Sequence, residues 1–368
     1  MADRRPGLRR TVVVKVGSST LVDDSGRPRQ PVFERVAGEC AGLASSGTPV
    51  VVVSSGAVAL GIGGLGKTIR PRALGDLQAA SALGQTLLQL HWERAFGARG
   101  TRTGQVLLTE ADIHRRGAYV NARRALRRLM SWGVVPVVNE NDSTATEEIT
   151  FGDNDVLAAH VAVMLQARLL VLLTDIDGVY DRDPSRPDAR LIPEILDQAQ
   201  VDAVADEAPA GRSGWGSGGI AAKLRSARMA SSGGVEAVIA SGLAAGAITA
   251  AAAGEASGTR VPAADQLPSA YKLWLRHGTP VRGRLVCDDG ARQAVAERGT
   301  SRLPVGLVAV DGTFDAGDAV ELIGPDGGAF AVGVSRYAAR ELAQAVGRRG
   351  LPEAVRPPGP AQIGRAHV

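Results

Sequence analysis

The chain has 368 residues, with 42 Lys/Arg against 38 Asp/Glu, and four arginines against one aspartate in the first ten residues supply most of the net +4. That leaves a nearly neutral body with 4% aromatic residues, which lacks the charge footprint and stacking platforms of a protein built mainly to bind nucleic acid, despite a pI near 9.4. The length suggests two domains, and Cys40, Cys287 and the five scattered histidines set no disulfide framework and no metal-ligand spacing.

Short β-branched runs recur along the first two thirds of the chain: Thr11–Val16, Val50–Val53, Gln105–Leu108, Val134–Val138, Leu169–Leu173 and Val235–Ala240. They are continuously apolar, as strands covered on both faces are. Between them lie stretches with helical periodicity: Leu77-Ala80-Leu83-Leu87-Leu88, Ala118–Met130 and Asp155–Leu165. This alternation predicts a parallel sheet between layers of helices. Lys15 breaks the first run and no cleavage site follows it, while Ala237–Gly254 is too rich in Ala, Gly and Ser for a membrane span. A cytoplasmic, reduced protein without membrane contact is expected.

Near Gly258–Pro268 the pattern lapses into Gly, Pro, Thr and Asp, a linker composition. Beyond Thr279 come shorter strands, Val281–Cys287, Gly306–Val310, Ala319–Leu322 and Phe330–Ser335, with turn signals between them and one clear helix, Ala338–Ala345. The expected division is a domain over residues 8–258, a linker over 259–278 and a small, mostly β domain over 279–356.

Gly61–Thr68 (GIGGLGKT) fits the phosphate-binding G-x-x-x-x-G-K-[ST] pattern, but its context fails. The preceding strand ends eight residues earlier, and Pro71 falls where the helix should continue. Lys15 is the stronger signal. A lysine at the end of a doubly buried strand is costly unless the strand end opens on a polar site, and at the carboxyl edge of a parallel sheet that is where ligands bind. The bland alternative is a snorkelling lysine beside an ordinary turn. Ser54-Ser55-Gly56-Ala57 forms a second turn of small residues after the second strand. Asn139-Glu140-Asn141-Asp142 follows the fourth strand, and Gly152-Asp153-Asn154-Asp155 comes shortly after. The two groups can grip an amino acid by its ammonium and carboxylate, or form a solvated acidic loop; Asp153 and Asp155 are equal candidates to cap the next helix. Thr174-Asp175 ends the fifth run. Gly214–Gly219 then leads into Ile220–Met229, a helix carrying Lys223 on its first turn, and a glycine loop at a helix start binds anions through free amides.

Together, Val14–Ser18, Val53–Ala57, Gly104–Leu108, Val137–Asp142, Gly152–Asp155, Leu173–Asp175 and Gly218–Lys223 resemble the amino-acid kinase superfamily, and within it the glutamate 5-kinases. Gly333–Tyr337 resembles the PUA module appended to many of them. The resemblance implies an α/β three-layer sandwich with a mainly parallel sheet (the amino-acid kinase fold), plus a small, mostly β PUA-like domain. It implies transfer of a phosphoryl group from ATP, with Mg²⁺, to the γ-carboxylate of L-glutamate, the first step toward proline. It casts Lys15, Lys223 and Asp155 as catalytic, and Ser55, Asn139, Asp142, Asp153 and Asn154 as substrate-binding. Lys15, Thr174, Asp175, Ser217, Gly218, Gly219, Ile220, Ala221, Ala222 and Lys223 would bind nucleotide. Metal ligands are left unassigned. Ala221-Ala222 depart from the family pattern, which usually places a hydroxyl residue before the lysine, so more weight falls on the backbone amides and Lys223. Proline as feedback inhibitor and a homo-oligomer are further implications. RNA binding by the tail is disfavoured: residues 279–356 carry ten basic and ten acidic side chains and three aromatics. A kinase acting on N-acetylglutamate, aspartate or a nucleotide is the other rival.

Overall fold

A computed structural model describes residues 10–144, 154–197, 219–255, 258–264, 281–298, 306–316, 318–335 and 337–344, with a few isolated positions besides. The chain divides into two compact units, Met1–Pro268 and Ser269–Val368.

The first unit is a seven-stranded sheet in the order β3-β4-β2-β1-β5-β6-β7. Its strands are β1 (Val12–Val16), β2 (Val50–Ser54), β3 (Arg102–Leu108), β4 (Val134–Glu140), β5 (Leu169–Thr174), β6 (Glu236–Ser241) and β7 (Thr259–Val261). Every pairing is parallel except β6 with β7. The helices are α1 (Ser18–Leu21), α2 (Gln30–Ser45), α3 (Ala57–Gly64), α4 (Leu74–Gly97), α5 (Glu110–His114), α6 (Arg116–Ser131), α7 (Asn154–Leu165), α8 (Ile220–Ser232) and α9 (Ala247–Ala253). The six expected parallel strands are all present, each shifted by a few residues at most. Residues 259–261, expected to begin the linker, instead form β7 and belong to this sheet; antiparallel pairing to an edge strand requires no apolar run long enough to be conspicuous.

β1 is central and wholly buried, paired along its length with the apolar runs of β2 and β5 except where Val16 meets Ser54. Val12, Val14 and Val16 face a core built on Phe33, Leu88, Trp92 and Phe96 from α2 and α4. Strand alternation turns Val13 and Lys15 to the opposite face. The Trp92 ring packs edge-on to Phe33 at 4.8 Å between centroids, and its indole N–H donates to Ser54 Oγ at 2.9 Å. This bond pins the end of β2 just before Ser55.

The first half of the GIGGLGKT segment, Gly61–Gly64, lies within α3 and serves packing. A Cβ on Gly61 would stand 1.9 Å from the Ala80 carbonyl oxygen, and one on Gly84 would stand 1.7 Å from the Ala57 oxygen. The two glycines let α3 and α4 touch backbone to backbone. This contact also corrects the expected apolar stripe of α4. Leu83 is exposed, and the buried positions include Ala80, Ser81, Gly84, Gln85 and Leu88, because only small side chains fit at the crossing. Gly84→Ala is accordingly expected to cost roughly 1–3 kcal/mol through overpacking, readable as a lower Tm, whereas Gly97→Ala, with open space at its Cβ, should leave Tm unchanged or raised.

The second unit is a four-stranded sheet in the order β11-β10-β8-β9: β8 (Val281–Cys287), β9 (Leu307–Gly312), β10 (Ala319–Ile323) and β11 (Ala329–Val334). α10 (Asp289–Arg298) and α11 (Ala339–Ala343) accompany it. The four strands match the expected ones closely. Asp288-Asp289-Gly290, a turn signal by composition, instead opens α10, with Asp288 as its cap, Oδ1 accepting from the Ala291 amide at 2.7 Å. Leu285, Phe314, Leu322, Tyr337 and Leu342 form this unit's own core.

Candidate active site

The carboxyl ends of β4, β2, β1 and β5 lie side by side, and each delivers one candidate residue: Asn139 at the end of β4, Ser55 just after β2, Lys15 near the end of β1 and Thr174 ending β5. The register fixes this row, since Lys15 is level with Val53 of β2 and Leu172 of β5.

Asp155 organises the centre. It sits in the first turn of α7, where its carboxylate is fully buried, and Lys15 Nζ approaches Oδ1 at 2.6 Å while Lys223 Nζ donates to Oδ2 at 3.0 Å. The lysines are also buried, at 3% and 7% exposure, and the shared carboxylate is what lets two ammonium groups be buried there. Burial alone pushes the Asp155 carboxyl up; the two ammonium charges and their hydrogen bonds outweigh it and hold it below the ordinary carboxylate range. Asp155 is therefore a charge partner and not the cap of α7. Lys223 is placed by the start of α8, where its amide bonds the Gly219 carbonyl and Gly219 is the N-cap in an extended conformation. Ile220, Ala221 and Ala222 precede Lys223 in that first turn and are partly buried.

On the β2–β4 side, Asn154 Nδ2 lies 3.0 Å from both Ser55 Oγ and Asn139 Oδ1, and Asn139 Nδ2 donates to Gln85 Oε1 at 2.8 Å. Ser81 Oγ donates to Asp142 Oδ2 at 2.9 Å. Burial raises the Asp142 carboxyl above its ordinary value, and the Ser81 hydrogen bond and the Arg70 charge only partly offset this. Gly56, with φ +107°, makes the turn from β2 into α3 and requires glycine's freedom in the left-handed region. On the β5 side, Thr174 Oγ1 donates to Asp175 Oδ1 at 3.1 Å. Asp153, Ser217 and Gly218 lie outside the described residues.

Gln85 and Ser81 had not been anticipated. Their signal was the small-polar spacing Ala80-Ser81-Gly84-Gln85-Leu88 in α4, which competes with the leucine pattern and wins. Among the described residues no group of three or more His, Cys, Asp or Glu could hold a metal, and no helix is long and apolar enough to cross a membrane.

A doubly wound sheet edge with two buried lysines on one carboxylate, a small-molecule cradle on one side and a helix N-terminus on the other defines a small-molecule kinase without a P-loop. The amino acid kinase family model matches residues 10–241, and the PUA domain model matches 283–351. The chain belongs to the amino acid kinase family and, within it, to the glutamate 5-kinases. It is 44% identical over 341 residues to the glutamate 5-kinase of Synechococcus sp. (strain JA-2-3B'a(2-13)), covering 92% of this chain and 91% of that one. The Streptomyces coelicolor enzyme is 43% identical over 355 residues (96% and 94%), and that of Salinispora arenicola 45% over 349 (95% and 93%).

Proposed function

We propose that this protein transfers the γ-phosphoryl group of ATP to the γ-carboxylate of L-glutamate, giving L-glutamyl 5-phosphate, the first step toward proline. The observation that carries the reading is the Lys15–Asp155–Lys223 triad lying between two chemically different halves of one sheet edge.

A carboxylate is already a nucleophile, so no general base is needed, and the work is alignment and charge neutralisation. Ser55, Asn139, Asp142, Asp153 and Asn154 hold glutamate on the β2–β4 side. Thr174, Asp175 and the turn running through Ser217, Gly218, Gly219, Ile220, Ala221 and Ala222 into Lys223 hold nucleotide. Lys15 and Lys223 meet the phosphoryl oxygens between them, and Asp155, which touches neither substrate, keeps both ammonium groups aimed there. Asp155 is taken up by the lysines and no described cluster of acids is left to hold Mg²⁺, so the ion would arrive with the nucleotide and would supply neutralisation of phosphate charge beside Lys15 and Lys223. Proline shares glutamate's α-carboxylate and ammonium nitrogen, so the β2–β4 half suits it as feedback inhibitor. A homo-oligomer in the cytoplasm belongs to the same reading.

A coupled ADP-release assay offering glutamate, N-acetylglutamate, aspartate and UMP tests the assignment, and preference for any but glutamate would overturn it. A free α-ammonium gives the partly buried Asp142 carboxylate a direct cationic partner beyond the Arg70 charge that already acts on it. Losing such a charge-assisted bond costs about 1.5–3 kcal/mol, or roughly ten- to a hundred-and-fifty-fold in kcat/KM. Asp142→Asn is therefore expected to raise the KM for glutamate by that order and leave the KM for ATP nearly unchanged, measured in the same assay. In the parent, the glutamate KM should rise as acidification protonates Asp142, at a pH above the ordinary aspartate range because burial raises this group.

A further inference from the structure

Ser81 and Gln85 stand one turn apart on α4, both buried, and reach the same cluster: Ser81 to Asp142, Gln85 to Asn139. A primary amide has one accepting and one donating end, so a chain of amides has a direction. Here Gln85 Oε1 accepts from Asn139, Asn139 Oδ1 accepts from Asn154, and Asn154 Nδ2 donates to Ser55 Oγ. The Ser55 oxygen is thereby used as acceptor, and among the described residues no acceptor takes its hydroxyl proton.

Turning Gln85 over would set its Nε2 against Asn139 Nδ2, donor against donor. Relief would require Asn139 and Asn154 to turn as well, and Asn154 would then present Oδ1 to Ser55 and consume that proton. The relay thus has two concerted states, and only one leaves Ser55 as a donor. In the state observed, both ends of the relay, Gln85 Nε2 and Asn154 Oδ1, are buried without a hydrogen-bond partner among the described residues. The relay's own bonds therefore leave one donor, on Gln85, and one acceptor, on Asn154, unmet, and the Ser55 proton stays available to an occupant.

We propose that Gln85 is a positioning residue for the acceptor amino acid: through Asn139 and Asn154 it fixes the direction of the amide relay, so that Ser55 offers its hydroxyl proton to a carboxylate of the substrate. The inference rests on the glutamate reading of this half of the site. The α3–α4 crossing is part of the device, since Gly84 sets the depth at which its neighbour Gln85 meets Asn139.

Gln85→Met keeps length and burial but removes the amide. It is expected to raise the glutamate KM about tenfold, the loss of one oriented hydrogen bond to a charged group, with the ATP KM unchanged. A merely structural role would instead move both constants or lower Tm. Gln85→Asn, which pulls the same amide back by one methylene, should give the same split and serves if the methionine variant folds poorly. The decisive measurement is a double-mutant cycle. If Gln85 acts through the Ser55 hydroxyl, Gln85→Met added to Ser55→Ala changes the glutamate KM no further than Ser55→Ala alone. An unchanged KM in both single variants at position 85, or effects that multiply in the double variant, would overturn the inference while parent turnover of glutamate left the functional reading intact. A parent protein that does not phosphorylate glutamate would overturn both.

Discussion

Lys15→Ala and Lys223→Ala are each expected to lower kcat by roughly 10²-fold or more, because each removes a preorganised positive charge from the place where the transferring phosphoryl group develops its charge. The two come from β1 and from the first turn of α8 and converge on Asp155 from different elements, so neither can stand in for the other's direction of approach. Each single variant leaves Asp155 with its other lysine, and the fold should persist. Steady-state kinetics with saturating glutamate and ATP check the effect, and a normal kcat in either folded variant would contradict the site. Lys67→Ala is the control. Lys67 is the exposed lysine of the GIGGLGKT segment, just beyond α3, so its loss should be nearly silent, whereas in a true P-loop it would be disabling.

Asp155→Asn should act on stability as well as on rate. It removes the counter-charge that the two buried ammonium groups share, and breaking a buried ion pair from one side costs roughly 3–5 kcal/mol, a fall in Tm on the order of 10 °C for a domain of this size. Inorganic phosphate should restore part of the lost Tm, and restore more in the variant than in the parent, because it replaces the missing anion between the lysines. The pH dependence has a definite sign. The folded-state carboxyl of Asp155 is held below its unfolded value, so its contribution is fully present above an ordinary aspartate pKa of about 4. That contribution is lost as pH falls from there through the depressed folded value. Thermal melts of the parent should show this acid loss, and Asp155→Asn should show less of it. An unaltered Tm in the variant would mean that the triad is not paired as described.

Much of this site can be read from local sequence. Lys15 inside a valine run, the acid-amide pair after the fourth strand, and the glycine loop before Lys223 each violate the pattern of their own element, and polar residues at the ends of buried parallel strands have few other uses. The six parallel strands are legible for the same reason: continuous β-branched runs have no alternative that buries both faces. The P-loop-like segment was excluded on the distance from its strand, but its actual purpose, a backbone contact between α3 and α4, depends on a partner helix and is invisible along the chain.

The sequence by itself determined the six parallel strands and the chemical types gathered at the sheet's edge, because these follow from periodicity and from the cost of burying polar side chains. Only the tertiary structure decided which of them touch. Asp155 could have capped a helix, and it became the shared anion of two lysines because α7 and α8 pack side by side with their first turns at the same edge. Gln85 could have been a surface residue of α4, and its burial against Asn139 follows from two glycines that bring helices into contact. Charge pairing and hydrogen-bond direction act over about 3 Å, and residues distant in sequence reach that range only when the chain is folded.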